Sequence, residues 1–221
     1  MSLNPSKGNM YDFVTHTWNT VKGACPHDCG YCYMKRWGKL NPARLDEREF
    51  KTDLGSDNSI FVGSSNDLFA DAHPKEWILK TLDHCNKLDN HYLFQSKNPA
   101  RILDFISHPV FWKSVICTTI ETNRWYPCMG NAPTTQERAD AMVYIGGHYP
   151  AYVTIEPILD FDIPEMVELI KKCSPVVVNI GADSGNHHLP EPPKEKILEL
   201  IKELSAFTNV RQKDNLKRLL K

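Results

Sequence analysis

The sequence predicts an α/β fold, a partial (β/α)6 TIM-like barrel with a parallel sheet and outer helices, from three observations. Short β-rich runs alternate with helical segments six times. Polar residues collect at the C-terminal ends of those runs, where parallel β/α folds place their sites. Three cysteines, Cys25, Cys29 and Cys32, crowd the loop that follows the first run.

The expected strands are Phe13–Trp18, Ile60–Gly63, His91–Ser96, Val115–Ile120, Ala151–Glu156 and Val176–Gly181. Helix signals fall between them. After His73-Pro74, the side chains of Trp77, Ile78, Leu82 and Cys85 share one helical face. Asn98-Pro99 reads as an N-cap followed by proline at the first helical position. Thr134 with Glu137, and Asp162 with Glu165, read as capping boxes, and Gly146-Gly147 as a helix stop. The first crossover, between Cys32 and Ser59, is the least regular, with a helix expected at Tyr33–Trp37. The whole chain, 1–221, is expected as a single domain: a core over 10–185 carries the strands and the cofactor site, and 186–221 forms a C-terminal helical segment. Repeated βα units imply a parallel sheet with helices outside it. A closed eight-unit barrel takes about 250 residues, so six units fit this length better; a flat doubly wound sheet is the alternative.

Composition sets limits on function. Apolar residues make up 41% and charged residues 24%, an ordinary balance for a soluble protein. No apolar run approaches the roughly 18 residues of a membrane span, and the N-terminus lacks the layout of a secretory signal, so a cytoplasmic protein with no membrane partner is expected. The net charge of −1 makes no overall electrostatic case for nucleic acid. The basic stretch recognised is the tail from Arg211 to Lys221, read as a solvated helix face. Seven cysteines, three of them within eight residues, suggest a metal or redox site rather than a disulfide framework.

Strand alternation sharpens the site. Gln95 and Lys97 share one face of their strand, as do Cys117, Thr119 and Glu121, and Tyr152, Thr154 and Glu156. The opposite faces carry Phe94, Ile116, Ile120, Val153 and Ile155. Helices cover the outside of such a sheet, so the polar face lines the interior. A buried Glu or Lys there needs a partner or a ligand.

The loop Gly23-Ala24-Cys25-Pro26-His27-Asp28-Cys29-Gly30-Tyr31-Cys32 places three thiolates where they can take three corners of a cubane iron–sulfur cluster. One iron is then left without a protein ligand, open to a substrate or cofactor. A structural zinc site needs a fourth ligand, for which His16 and His27 are the candidates. A thiol–disulfide centre leaves the third cysteine surplus.

At this point the chain resembles the radical S-adenosylmethionine superfamily, whose Cys-x3-Cys-x2-Cys signature it matches, with the aromatic Tyr31 before the last cysteine. Thr17-Trp18-Asn19, Gly63–Phe69, Gln95-Ser96-Lys97, Ile155–Leu159 and Ala182–Gly185 look like the landmarks of a phage-associated family of unknown function, distantly similar to spore photoproduct lyase. Thr20 stands where that family usually has proline, and Asp183 where it commonly has glutamate. The resemblance implies a [4Fe–4S] cluster on Cys25, Cys29 and Cys32, with S-adenosylmethionine (AdoMet) chelating the open iron. Reductive cleavage then yields a 5′-deoxyadenosyl radical, which acts on a substrate. A flavodoxin- or ferredoxin-type reductant is the implied partner, and a nucleic-acid base or nucleoside one candidate substrate.

The site residues follow from the same resemblance. Ser65, Asn66 and Asp67 stand in place of the element that meets the methionine amino group. Thr119, Glu121 and Asn123 stand where the superfamily contacts ribose and carboxylate, and Gln95 and Lys97 face the carboxylate. Glu156 and Asn179 face the same space, toward cofactor or substrate, and backbone around Tyr31 flanks the adenine. Cys85 and Cys173 are expected in the core, and Cys128 in a loop able to reach over the barrel mouth. Two other functions fit parts of the sequence: an iron–sulfur electron carrier or sensor, and a zinc-containing nucleic-acid-binding protein.

Overall fold

The computed structural model describes residues 3–7 and 9–221. Ten strands form among the described residues: β1 (Asn4–Pro5), β2 (His16–Trp18), β3 (Val21–Lys22), β4 (Arg44–Leu45), β5 (Ser59–Val62), β6 (His91–Ser96), β7 (Ser114–Thr119), β8 (Ala151–Ile155), β9 (Val177–Ile180) and β10 (Asn209–Gln212). The helices are α1 (Lys75–Asn86), α2 (Pro99–Leu103), α3 (Thr135–His148), α4 (Ile163–Lys172) and α5 (Lys194–Ser205). Eight strands make one sheet in the order β1-β2-β5-β6-β7-β8-β9-β10, and β3 pairs with β4 as a separate ribbon. All neighbours in the large sheet are parallel except β1, which runs antiparallel along β2.

The order never doubles back. A doubly wound sheet needs a point where strand order reverses, and none exists here. The fold is the expected partial barrel, with one parallel strand more than the six anticipated. That strand, β10, corrects the reading of 186–221 as helical: the segment holds α5, β10 and a 3-10 turn at Asp214–Leu219. Its four residues, Asn209-Val210-Arg211-Gln212, contain one apolar side chain and so show no alternation in the sequence. Pairing with β9 and packing of Val210 on the core define it.

Two apolar clusters lie on opposite faces of the sheet. The larger joins Ile60, Phe94, Ile116, Val153 and Val178 to the buried stripes of the helices, such as Ile78 and Leu82 of α1 and Leu200 and Leu204 of α5. The smaller comprises Tyr11, Val14, Phe61, Leu93 and Cys117, with Phe13 and Tyr152 packed against it. It closes the N-terminal end of the interior, which explains why β2 starts at His16 and not at Phe13: Tyr11 and Phe13 stack on each other 5.9 Å apart and turn inward.

Helix ends differ in part from expectation. Thr134 and Glu137 do form a capping box, with Glu137 Oε2 accepting from Thr134 N at 2.8 Å. Asp162 does not cap α4, because its carboxylate binds Arg124 instead. Asn98 likewise spends its side chain elsewhere, donating to Asp71 at 2.8 Å. Gly146 and Gly147 lie inside α3, which runs on to His148. A Cβ on Gly146 would press against the Cys173–Ser174 backbone and side chain, so the glycine serves helix packing rather than helix termination.

Candidate active site

Strand register builds the site from the backbone. Thr119, Thr154, Asn179 and Arg211 are direct neighbours across β7, β8, β9 and β10. Ser96 pairs with Thr118, so Lys97 comes beside Thr119 at the start of the same row. Two residues further along each strand direction, Glu121, Glu156 and Lys213 form a second level at the open, C-terminal end. Residues at the alternate positions, Ile116, Val153, Val178 and Val210, pack outward. The interior above the apolar plug is therefore polar by design of the alternation.

Glu121 is the hub. Arg138 Nη1 donates to its Oε2 at 2.7 Å, and the Lys97 ammonium and the Tyr31 hydroxyl both contact its Oε1. Lys97 Nζ also reaches Tyr31 Oη at 3.0 Å. Glu121 and Arg138 are fully buried. Burial by itself raises a carboxyl pKa, yet the two cations hold Glu121 well below its ordinary value of 4.5. Burial, followed by the Glu121 charge, pushes the Tyr31 hydroxyl far above its ordinary range, so Tyr31 acts as a donor. Two cations face one carboxylate here, which leaves a positive surplus at Lys97, the member with 17% side-chain exposure.

The cysteine loop packs against this hub. Gly30 N donates to Cys128 O at 2.7 Å, Asn131 N to His27 O at 2.7 Å, and Cys29 Sγ to Met129 O at 3.4 Å. Cys29 is buried, Cys25 and Cys32 are half-buried, and all seven cysteines of the chain are free. Burial and then the Asp67 charge push the Cys25 thiol up to about 12. Burial also raises Cys29, opposed by the charges of Lys97 and Arg138.

Asp67 ties the loop to the sheet. Its carboxylate accepts from His27 Nε2 at 2.8 Å, Ser96 Oγ at 3.0 Å, Lys97 N at 2.8 Å and Phe69 N at 3.0 Å. Asn66 donates to Gly23 O at 3.1 Å and accepts from His73, while Asn19 Oδ1 holds Ser65 N at 2.8 Å. Asn66 and Asp67 are thus committed to backbone and side-chain partners, and Ser65 lies on the half-buried rim.

A second polar group surrounds Glu156. Lys213 Nζ lies 2.6 Å from its Oε2, and Asn9 and Asn215 donate to its Oε1 at 2.7 Å. Gln95 sits lower, donating to Thr119 Oγ1 at 3.1 Å and accepting from Tyr11 at 2.7 Å. Asn179 is buried and its Nδ2 has no partner. Asn123 stands apart from the row: its amide brackets Asp162, accepting from Asp162 N at 2.8 Å beside the Arg124–Asp160–Asp162 ion pairs.

The donor set fits an iron–sulfur cluster. The three cysteines share one loop, pinned at both ends, with the charges of Lys97 and Arg138 acting on Cys29 and the Asp67 carboxylate close to Cys25. Among the described residues, no three His, Cys, Asp or Glu side chains, Cys25, Cys29 and Cys32 included, are already drawn together as a metal site. The histidines proposed as a fourth zinc ligand are engaged elsewhere, His27 Nε2 with Asp67 and His16 Nδ1 with Thr15. No helix among the described residues is long and apolar enough to cross a membrane.

No family model and no curated protein matches the sequence. Solved structures do match. The fold is similar to that of spore photoproduct lyase. A double mutant of spore photoproduct lyase with bound AdoMet and dinucleoside spore photoproduct aligns with 92% of this chain at 13% identity and a TM-score of 0.61. Two single mutants give 14% and 11% identity over 94% and 95% of this chain, with TM-scores of 0.66 and 0.64. This chain spans 66% and 64% of the first two of those lyase chains, and 80% of the third. At such identities the likeness to the lyase is one of fold.

Several site residues were not foreseen. Arg138 was readable, since Thr135, Arg138, Met142 and Ile145 form the buried stripe of α3 and an arginine in such a stripe demands a buried anion. His27 was weighed as a metal ligand, but it anchors the loop through Asp67. Lys213 and Asn215 follow β10 and could not be placed without that strand.

Proposed function

We propose that this protein is a radical AdoMet enzyme in which Cys25, Cys29 and Cys32 hold a [4Fe–4S] cluster. The observation that carries the reading is the placement of a three-cysteine loop against the Lys97–Glu121–Tyr31 hub at the C-terminal end of the sheet. A cluster with three protein ligands has one iron open to a small chelating ligand, and the hub supplies the groups to orient it. Once bound, the cluster supplies the electron that cleaves the AdoMet sulfonium.

The chain's own residues divide the remaining work. Lys97 carries the surplus positive charge and grips the AdoMet carboxylate, a charge-assisted contact. Glu121, held ionised by Arg138, accepts from the ribose hydroxyls, and Tyr31 donates from the cysteine loop. Asp67 keeps the loop in register with β6 by bonding His27 on one side and Ser96 and Lys97 on the other. The apolar plug around Tyr11 and Phe61 excludes water from the interior below the row.

A nucleic-acid-derived substrate is the reading favoured by the fold's likeness to a lyase structure that holds AdoMet together with a dinucleoside photoproduct. A flavodoxin- or ferredoxin-type protein is the expected electron donor. An electron carrier has no need of a lined polar interior, which disfavours that alternative. The test is anaerobic reconstitution, reduction with dithionite, and chromatography for 5′-deoxyadenosine and methionine. Their formation by wild type and its loss in Cys25→Ala support the enzyme; a loaded, reducible cluster that binds AdoMet yet yields neither, with or without nucleosides and short oligonucleotides, refutes it.

A further inference from the structure

The polar row does not end at the hub. It continues from Thr154 to Asn179 and on to Arg211 at the edge of the sheet. Asn179 is 4% exposed, and its Nδ2 is a buried donor with no hydrogen-bond partner. A buried amide N–H left unpaired costs free energy, and native proteins keep few of them without a use.

Arg211 stands directly beside it. Val210 packs into the outer core, so Arg211 points to the inner face with Asn179. It is half-buried. Its basic neighbours are neutralised: Lys213 by Glu156, Lys217 by Asp214 and Arg218 by Glu191. Arg211 has no ion-pair partner among the described residues. Thr154 Oγ1 is turned toward Asn179 O, 3.5 Å away, so the threonine adds no anion. Glu156, the nearest carboxylate by register, lies one level up and is already held by Lys213, Asn9 and Asn215.

Among the described residues β10 is the last strand of the sheet, so no further strand pairs beyond it on the side of Arg211. An unpaired guanidinium and an unpaired amide donor thus sit together on the inner wall, next to the opening. The guanidinium and the amide N–H can both donate to an incoming group, and a guanidinium matches the paired oxygens of a phosphate.

We propose that Asn179 and Arg211 form a substrate-anchoring subsite that binds the phosphodiester oxygens of a nucleic-acid-derived substrate entering by the open edge. The inference rests on the proposed function and adds to it a substrate anchor separate from the Lys97–Glu121 hub. Of the two roles open to Asn179, cofactor or substrate contact, it assigns the substrate. The arrangement sets the anchor two strands away from Thr119.

The experiment is calorimetric titration of the full-length, iron-loaded protein with AdoMet present, under anaerobic conditions. The probes are thymidylyl-thymidine, which has one phosphodiester, thymidine, which has none, and N-acetylaspartate, which offers carboxylates. Wild type should bind thymidylyl-thymidine about tenfold or more tighter than thymidine. Arg211→Gln and Asn179→Leu should each abolish most of that preference while leaving thymidine affinity as it was, a control for folding. Arg211→Lys should keep part of the preference, as a charge without the fork. Equal affinity for the first two probes, tighter binding of N-acetylaspartate, or an undiminished preference in Arg211→Gln overturns the subsite. Deoxyadenosine formation by the same wild-type preparation separates the two claims: cleavage without phosphodiester preference sinks the subsite alone, whereas absence of cleavage sinks the function on which it rests.

Discussion

Arg138 Nη1 and Glu121 Oε2 lie 2.7 Å apart with both side chains fully buried. One comes from the first turn of α3 and the other from just past β7, so the pair joins a helix to the floor of the site. The guanidinium also donates to Thr119 O at 2.9 Å and Pro133 O at 2.7 Å. The pair is therefore the structural base on which Lys97 and Tyr31 are arranged.

Removing one partner should cost more than removing both. Arg138→Met leaves Glu121 facing Lys97 alone in a buried site, and breaking such a pair typically costs about 3–5 kcal/mol. Urea unfolding should show a loss of that order for Arg138→Met. Adding Glu121→Gln should recover part of it, because the fully buried carboxylate is gone and the Lys97 ammonium left without it is partly exposed to solvent. A double variant less stable than the single one would mean that the carboxylate is held chiefly by Lys97.

Acid should destabilise the fold through the same carboxylates. Glu121 is depressed below 4.5, despite burial, by Arg138 and Lys97. Asp67 is depressed below 3.8, despite burial, by the His27 and backbone hydrogen bonds. A carboxyl whose folded pKa is lowered binds its proton more readily when unfolded. Its stabilisation is complete above the ordinary value and is lost as pH falls from there toward the folded value. Unfolding midpoints of the metal-free protein should decline steadily below about pH 4.5. Glu121→Gln, though weaker at neutral pH, should decline less steeply; an identical slope would assign the acid sensitivity elsewhere.

Iron content should depend on three thiols and not on the others. Cys25→Ala, Cys29→Ala and Cys32→Ala should each abolish a stable four-iron cluster after anaerobic reconstitution, since losing one leg unseats it. Cys85 and Cys173 are fully buried within the outer core, and their alanine variants should load iron normally. Colorimetric iron and sulfide analysis decides the matter. A full cluster in any of the first three variants would exclude the assignment.

Much of this arrangement was legible in the residues. Six strands show themselves because each carries an apolar outer face, such as Phe94 or Ile116 and Ile120, and that face needs only the period of two to be seen. The polar inner row follows from the same period, which is why Lys97, Thr119, Glu121 and Glu156 fall together as expected. What alternation cannot convey is pairing across the chain. Strand β10 has no apolar signature, so the sequence pattern of Arg211–Lys221 suggests a solvated helix face and hides the inward placement of Arg211, Lys213 and Asn215. Asn123 shares the face of Glu121 by period alone, but it lies beyond the end of β7, where the chain turns to Asp162 and the period no longer applies. Asp67 and His27 are 40 residues apart and meet only because their loops both rise from the same end of the sheet.

Gly130 gives the most local test of how the cysteine loop is held. Its φ of 67° and ψ of −140° form a conformation that suits glycine, and Gly38, with φ 78° and ψ −156°, is similar. Alanine at either site should lose about 1–3 kcal/mol from backbone strain alone. Their surroundings differ. A Cβ on Gly38 meets nothing within 4 Å, whereas one on Gly130 collides with the His27 carbonyl oxygen and lies 2.9 Å from the carbonyl carbon of Asp28. Relief of that clash must move the cysteine loop away from the turn at Pro127–Met129. The Asn131–His27 and Gly30–Cys128 backbone hydrogen bonds then weaken together. Both variants should therefore melt lower than wild type, but only Gly130→Ala should also load less iron and surrender it faster to a chelator. The backbone cost is shared, so the difference between the two isolates the contact. Equal iron retention in Gly38→Ala and Gly130→Ala, at equal loss of stability, would show that the turn does not govern the position of the thiolates.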